Sequence, residues 1–286
     1  MISDITLGQF FPGFSSVHKL DSRTKILLST CYIVCIFLAN NLIGFALLSL
    51  FTLALLAASK ISFRVIAKSI KPLVFILLFT SLLNVFMTKG EGAPLAAWWI
   101  FEIYTEGLVR ALYMTVRVIL LIVGTSLFLT YTTSPIALTD GLEALLHPLT
   151  YIHVPVHIFS MMMSIALRFI PTLIEETEKI MNAQKSRGAD FSTGGLVKRA
   201  KALIPLLVPL FVSAFKRAEE LATAMECRCY RVDKKRTKLV KLTFRARDLL
   251  WGLLLLALLG AVIASRVLAT QPLVDALWYD VLTYSI

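Results

Sequence analysis

The sequence predicts an all-α polytopic membrane protein with about five transmembrane helices and a long cytoplasmic hairpin of helices. First, 57% of the 286 residues are hydrophobic and the mean hydropathy is +0.78, values rare in soluble domains and typical of polytopic membrane proteins. Second, long apolar stretches alternate with short polar segments. Third, a net charge of +11 is concentrated in a few of those polar segments.

Five apolar stretches are long enough to be considered as membrane spans. They are 26–39, 42–58, 72–87, 108–131 and 249–268. These stretches divide the chain into a lead-in with the first four transmembrane helices at 1–131, a polar region at 132–247, and the last transmembrane helix with an external tail at 248–286. The 60–71 connection, which is basic, is predicted to be a loop.

The distribution of lysine and arginine predicts the orientation in the membrane. Nearly all basic residues lie in the N-terminal lead-in, in 60–71 and in 132–248, whereas 88–107 carries glutamates and the tail carries Asp275 and Asp280. Cytoplasmic segments of membrane proteins are enriched in lysine and arginine. The N-terminus and the polar region are therefore expected in the cytoplasm, and the C-terminus outside.

The polar region contains a predicted helical hairpin at 156–231. Apolar residues recur at helical spacing in both of its arms. Charges in the second half of the first arm are unfavourable in the hydrocarbon of the bilayer. The arms are therefore expected at the membrane–water interface or on its cytoplasmic side. Pro171 in the first arm and Pro205 and Pro209 in the second are expected to bend their helices.

Each arm of the hairpin closes on a short triplet centred on an arginine. The six candidate site residues are Ser186, Arg187, Gly188, Cys227, Arg228 and Cys229. One reading is a helix C-terminus, where a cation favours the helix dipole and glycine is a common cap. The other reading is a pair of plugs for two similar sockets, since a guanidinium stays charged and offers a planar fork to carboxylates.

A basic run at 231–247 precedes the last apolar stretch. Such a run is compatible with nucleic acid or anionic lipid, but its position favours a positive-inside anchor. We therefore expect the lipid bilayer, and no nucleic acid, as its partner.

Three further positions have competing interpretations. His153 and His157 are spaced as metal ligands on a helix could be, yet Pro155 lies between them and favours a helix N-terminus. Arg117 is a charge within an apolar stretch, and either a functional role or structural pairing with Glu102 or Glu106 is open.

The sequence contains no recognisable chemistry-bearing motif. It has no glycine-rich nucleotide loop, no Ser/His/Asp arrangement in context and no paired catalytic carboxylates. A non-catalytic protein without cofactor or metal is predicted.

Four segments in order resemble the transmembrane T component of energy-coupling factor (ECF) transporters, the EcfT proteins of the wider CbiQ family. They are VHKLDSRTK at 17–25, LRFIP at 167–171, QKSRG at 184–188 and AMECRCY at 224–230. The chain departs from the family pattern at Ser22, where proline is usual, and at Cys229, where glycine is usual. The second departure leaves open how the second arm ends.

The resemblance implies a coupling subunit of an ECF-type ABC importer in a prokaryotic plasma membrane. Two ABC-type ATPase subunits would bind the arginine triplets of the coupling helices at 132–247. A membrane-embedded S component, which captures the vitamin or related micronutrient, would contact an apolar platform at 134–149 and the hairpin arms. The Met161–Met163 run would give this platform an adaptable surface, or would be ordinary core packing. Two alternatives remain open, a self-sufficient secondary transporter and a membrane anchor that recruits a soluble partner.

Overall fold

A computed structural model of the chain describes residues 10–88, 96–98, 101–189, 191, 195–231 and 243–269. Several predictions concern residues outside these ranges. Most of the basic run at 231–247, the tail with Asp275 and Asp280, much of the 88–107 segment, and the side chains of Glu102 and Glu106 lie outside the described part.

Within the described residues the chain is almost entirely helical. The α-helices are α1 Ser22–Leu38, α2 Leu42–Ser59, α3 Phe63–Ile70, α4 Val74–Met87, α5 Thr105–Thr125, α6 Pro135–Leu146, α7 Val156–Ser186, α8 Leu196–Cys227 and α9 Ala246–Ala269. Two three-residue strands, β1 Ala96–Trp98 and β2 Phe101–Ile103, pair antiparallel. Apart from this short pair, the all-α prediction is confirmed.

Five helices of the described chain are long and apolar enough to cross a membrane. They are Leu42–Ser59, Phe63–Met87, Gly107–Thr130, Val156–Ser186 and Ala246–Val267. The predicted number is therefore confirmed, but the set differs from the predicted one. Helix α1 has only 17 residues and begins with polar side chains, whereas the first half of α7 is apolar apart from His157 and Arg168.

The prediction of a loop at 60–71 is wrong, because most of it forms helix α3. Ser62 caps this helix by accepting a hydrogen bond from the backbone N–H of Arg64 at 3.3 Å. Phe63, Ile66 and Ile70 have helical spacing, and Ile66 is buried. A 3₁₀ turn at Lys71–Leu73 then joins α3 to α4, so basic residues lie in the first part of the candidate span Phe63–Met87.

The described residues form two compact units. The first unit consists of the described residues in 10–134 and 243–269, and the hairpin unit consists of those in 135–231. The three-part division drawn from the sequence stays a prediction.

Tyr32 of α1 lies at the centre of the first unit. Its side chain is fully buried, and its hydroxyl shares a hydrogen bond of 2.7 Å with Thr52 of α2 and donates to the carbonyl of Leu120 in α5 at 3.2 Å. A Cβ added at Gly124 would lie 2.1 Å from the tyrosine ring. Gly124 therefore provides the space that this ring occupies against α5.

Asp248 joins the beginnings of two helices in the first unit. One carboxylate oxygen accepts from the backbone N–H of Asp21, the N-cap of α1, at 2.9 Å. The other accepts from the backbone N–H of Arg245, directly before α9, at 2.8 Å. The first N–H groups of a helix have no partner within it, so this one buried carboxylate satisfies a donor of each helix.

Lys25 holds the lead-in motif at 17–25 in place. Its ammonium group is buried and donates to the carbonyls of Thr132 at 2.6 Å and His18 at 3.2 Å. The carboxylates of Asp248 and Asp21 are close enough to interact with it electrostatically. A buried ammonium needs such partners, because burial without them is strongly unfavourable. The motif is thus a structural junction of the first unit.

Arg117 completes the C-terminal end of α1. Its guanidinium donates to the carbonyl of Ala39 at 3.0 Å and to the side-chain oxygen of Asn40 at 3.2 Å. It also lies 5.4 Å from the centre of the Phe45 ring. The last carbonyls of a helix lack intrahelical donors, so these contacts support the structural interpretation of Arg117.

Candidate docking ends of the helical hairpin

Helices α7 and α8 form an antiparallel hairpin. Near the middle of α7, Glu176 contacts Ser213 and Arg217 of α8. Near the start of α7, the sulfur of Met161 accepts a hydrogen bond from the Tyr230 hydroxyl, just beyond the end of α8, at 2.9 Å. Later residues of one helix therefore contact earlier residues of the other. Both helices run continuously past their internal prolines, at Pro171 in α7 and at Pro205 and Pro209 in α8.

The antiparallel arrangement separates the two arginine triplets. Arg228 lies two residues before Tyr230, which contacts Met161, whereas Arg187 follows Met161 by twenty-six residues along α7. At 1.5 Å per residue, this separation is roughly 40 Å along the helix axis. The triplets therefore lie at opposite ends of the hairpin.

The end of α7 is a Schellman motif. Arg187 is the C-cap residue, with φ −88° and ψ 7°. The N–H of Gly188 donates to the carbonyl of Lys185 at 2.9 Å, and the N–H of Ala189 donates to the carbonyl of Gln184 at 3.0 Å. Gly188 has a φ of +86°, the left-handed conformation that this motif requires.

The end of α8 has the same structure. Arg228 is the C-cap residue, with φ −87° and ψ 15°. The N–H of Cys229 donates to the carbonyl of Glu226 at 2.8 Å, and the N–H of Tyr230 donates to that of Met225 at 3.0 Å. Cys229 has a φ of +54° in place of a glycine. The question that Cys229 raised in the sequence is thus answered, because the departure from glycine does not change how the helix ends.

All six candidate residues are exposed. Among the residues that the structure describes, neither Arg187 nor Arg228 forms a salt bridge, since the two ion pairs found there involve other residues. The interpretation of both triplets as helix ends is confirmed. Each end also presents a guanidinium to solvent, available to a carboxylate of another molecule.

A polar contact that the sequence did not suggest joins the two arms. Ser213 donates to one carboxylate oxygen of Glu176 at 2.6 Å, and Arg217 donates to the other at 2.8 Å. We call these three residues the Glu176 cluster. Ser213 and Arg217 are four residues apart and so share a helix face, a spacing that could have marked them in the sequence. Only the fold shows that Glu176 faces them.

The predicted apolar platform at 134–149 includes α6 and the beginning of a 3₁₀ segment, His147–Ile152. Four large apolar side chains of this platform are between 36% and 49% exposed. They are Ile136, Leu142, Leu146 and Leu149. In the adjoining α7, Met162 and Met163 are also exposed, so core packing within this chain is the wrong interpretation of these two methionines.

His157 forms an ion-pair contact rather than a pair with His153. Its Nδ1 lies 3.0 Å from a carboxylate oxygen of Glu143, which connects the first turn of α7 to α6. His153 lies before the helix in a left-handed conformation, with φ +63°. Among the described residues no group of three or more His, Cys, Asp or Glu side chains could hold a metal ion.

These observations define the class: a multi-pass α-helical membrane protein with an exposed helical hairpin whose two arms end alike. Residues 13–239 match the CbiQ family, described as cobalt transport protein. The chain belongs to the CbiQ family.

Relatives with a common name extend over most of the chain. The chain is 51% identical over 267 residues to the energy-coupling factor transporter transmembrane protein EcfT of Clostridium kluyveri, covering 93% of this chain and 98% of the relative. It is 52% identical over 250 residues to EcfT of Ruminiclostridium cellulolyticum, covering 87% and 92%. It is 48% identical over 248 residues to EcfT of Bacillus subtilis, covering 87% and 93%.

Proposed function

We propose that this chain is the transmembrane coupling subunit of an ECF-type ABC importer. In this role it transmits the ATP-driven movement of two ATPase subunits to a membrane-embedded S component. The observation that carries the proposal is the repeated Schellman motif, with Arg187 and Arg228 as its C-cap residues. The EcfT name of relatives near 50% identity agrees with it.

Two helix ends with the same backbone structure and the same C-cap arginine favour two similar binding partners. Each end offers an exposed arginine at a fixed backbone position, flanked by small side chains or by glycine. An arginine in a partly desolvated acidic groove has a defined direction, because its planar fork binds a carboxylate through two hydrogen bonds. Each ATPase would therefore hold one end of the hairpin.

The apolar side chains of α6 and the hairpin are the proposed contact with the S component. Leu142 and Leu146 of α6 and Met162 of α7 are exposed in the chain itself. An exposed apolar patch of this kind marks an interaction surface or a lipid contact. In the proposed arrangement, movement of the hairpin ends reorients the S component and releases its vitamin or related micronutrient inward. The chain itself remains non-catalytic, and the substrate is selected by S.

The proposed location is a prokaryotic plasma membrane, with the hairpin on the cytoplasmic side. Helix α7 is long and apolar enough to cross a membrane, but Arg168 and the charges from Glu175 onward make hydrocarbon an unfavourable surrounding for it. Lysine and arginine are concentrated in the hairpin and in the lead-in, and the positive-inside tendency favours the cytoplasm for both. This side is also where ATP is available to the partner subunits.

Co-purification with the ATPase pair tests the docking role. The variants are Arg187→Glu, Arg228→Glu and the double change, and Lys185→Glu is the matched control because it reverses an exposed charge in the last turn of α7. Removing one partner of a desolvated charge pair weakens binding by about 2–5 kcal/mol. We expect the double variant to reach the membrane but to lose the ATPases, while Lys185→Glu keeps them.

Survival of ATPase binding in the double variant would contradict docking through the arginines. If the ATPases stay bound while uptake stops, the arginines transmit movement and other contacts hold the complex. Leu142→Asn with Leu146→Asn distinguishes a coupling subunit from a simple membrane anchor. In a coupling subunit these two substitutions would leave the ATPases bound but abolish uptake. In a simple membrane anchor they would leave recruitment of the soluble partner unchanged and have no further effect.

A further inference from the structure

We propose that the Glu176 cluster is a positioning clamp that fixes the crossing of α7 and α8 and thereby transmits movement between the two arginine ends. The part of this inference that concerns transmission rests on the proposed function. The part that concerns the crossing rests on the geometry of the hairpin alone.

The contact between Glu176 and α8 is direct. Both oxygens of the Glu176 carboxylate are engaged by α8, one by the hydroxyl of Ser213 at 2.6 Å and the other by the guanidinium of Arg217 at 2.8 Å. Two hydrogen bonds from two side chains one turn apart define the direction of the carboxylate, which a single contact would not. Of the two ion pairs found in the described residues, this one joins the arms of the hairpin, and the other joins α6 to α7.

Few apolar side chains are buried around the cluster. Within the described residues, the buried side chains of the two arms are Val156 and Ser160 at the start of α7 and Leu206 of α8, and none of them lies within a turn of the Glu176 cluster. Two helices that bury few apolar side chains against each other slide and rotate more easily than a packed pair. The polar clamp therefore has a larger share in fixing the crossing than it would in a tightly packed hairpin.

The cluster lies at equal distances along the two helices from the two arginine ends. Arg187 follows Glu176 by eleven residues, and Arg228 follows Arg217 by eleven residues. Eleven residues are about three helical turns and about 16 Å, so each arginine lies on nearly the same face of its helix as the clamp residue. Because the helices are antiparallel, the two ends extend in opposite directions from the clamp. Movement of one end about this point would displace the other.

An ordinary surface ion pair is the simpler interpretation. The side chains of Arg217 and Glu176 are 39% and 23% exposed, and exposed pairs contribute little to global stability. The two interpretations differ in what a neutral substitution changes. A surface pair would leave the relative position of the arms unchanged, whereas a clamp would not.

The distance between the two ends tests the crossing without any partner protein. Spin labels would be attached at Ala183→Cys and Ala222→Cys, both exposed, on the full chain in nanodiscs with its four native cysteines replaced. Pulsed electron–electron double resonance would measure the distance between the two labels. The distance would be compared between the unaltered cluster, Glu176→Gln, Arg217→Gln and the charge swap Glu176→Arg with Arg217→Glu. Glu175→Gln, on the same turn but exposed, is the matched control.

We expect the distance distribution to widen or shift in Glu176→Gln and Arg217→Gln, to recover at least in part in the charge swap, and to stay unchanged in Glu175→Gln. An unchanged distribution in both neutral variants would overturn the proposal. So would the same change in Glu175→Gln, because the effect would then not be specific to the clamp.

Transmission is tested in the reconstituted complex with the ATPases and the S component. We expect Glu176→Gln to retain the ATPases in co-purification but to increase severalfold the ATP hydrolysed per substrate taken up. If the distance distribution widens while this ratio stays unchanged, the cluster fixes the crossing but does not transmit movement, and that part of the proposal is overturned. A failure of the proposed function itself would instead be seen as ATPase binding that survives Arg187→Glu with Arg228→Glu.

Discussion

Cys229 has the same place in the backbone at the end of α8 that Gly188 has at the end of α7. Both residues follow a C-cap arginine, both have positive φ values, +54° and +86°, and both donate their N–H to the carbonyl three residues earlier. A left-handed conformation is unfavourable for a residue with a Cβ by roughly 1–2 kcal/mol. The second end of the hairpin therefore keeps a strain that the first end lacks.

Replacing this cysteine by glycine should make the second end more stable. We expect Cys229→Gly to slow hydrogen exchange of the Tyr230 amide by about fivefold, because the strain removed is about 1 kcal/mol. Mass-spectrometric or NMR exchange on the purified chain measures this. Cys227→Gly is the control with the opposite expectation, since Cys227 is the last residue within α8 and glycine is unfavourable there.

The first end should respond in the reverse sense. Gly188→Ala introduces no steric clash, because an added Cβ has nothing within 4 Å, yet it forces alanine into the left-handed region. We expect faster exchange of the Ala189 amide and weaker ATPase co-purification than wild type. Gly195→Ala is a matched control, being equally open but with φ −68°. Equal hydrogen exchange of the Ala189 amide in the two variants would contradict a role for the left-handed backbone of Gly188.

Asp248 should be important for the stability of the first unit. Asp248→Asn keeps only one acceptor oxygen, so one of the N–H groups of Asp21 and Arg245 loses its partner, and the charge near Lys25 is lost as well. Hydrogen bonds to charged groups contribute about 1.5–3 kcal/mol. We expect a lower thermal midpoint in detergent, measured by intrinsic fluorescence. Asp140→Asn in the hairpin unit provides a comparison, and an equal effect there would argue against the special position of Asp248.

Gly124 should tolerate no larger residue. The Cβ of Gly124→Ala would lie 2.1 Å from the Tyr32 ring, so the buried ring or helix α5 has to move. Overpacking of this kind usually destabilises by about 1–3 kcal/mol. Gly252→Ala and Gly260→Ala are controls in α9, where nothing lies within 4 Å of an added Cβ. We expect a reduced thermal midpoint for the α5 variant only, and a stable Gly124→Ala would show that the core can repack.

Local patterns are sufficient to predict the hairpin and the end of its first arm. Apolar residues at helical spacing indicate α7 and α8, and an arginine before Gly188 indicates a helix end. The same patterns fail at α3, because the basic residues at 60–71 favour a loop although Ile66 and Ile70 share an apolar helix face.

Contacts between distant parts of the chain were not predictable. Asp21 and Asp248 are 227 residues apart, and nothing local to either shows that one carboxylate caps two helices. Glu176 has neighbouring glutamates at 175 and 178, and only the packing of α7 on α8 selects it as the partner of Ser213 and Arg217. The left-handed backbone of Cys229 is equally hidden, because cysteine has no preference for it.

The antiparallel hairpin gives an asymmetric chain an approximate internal twofold axis. A half-turn about an axis through the Glu176 cluster brings the end of α7 close to the position of the end of α8, with the same Schellman motif and an arginine at the same place. No internal sequence repeat is needed for this, since only the last few residues of each helix are alike. One polypeptide therefore presents two helix ends of the same structure that point in opposite directions, which would suit two similar partners bound in opposite orientations.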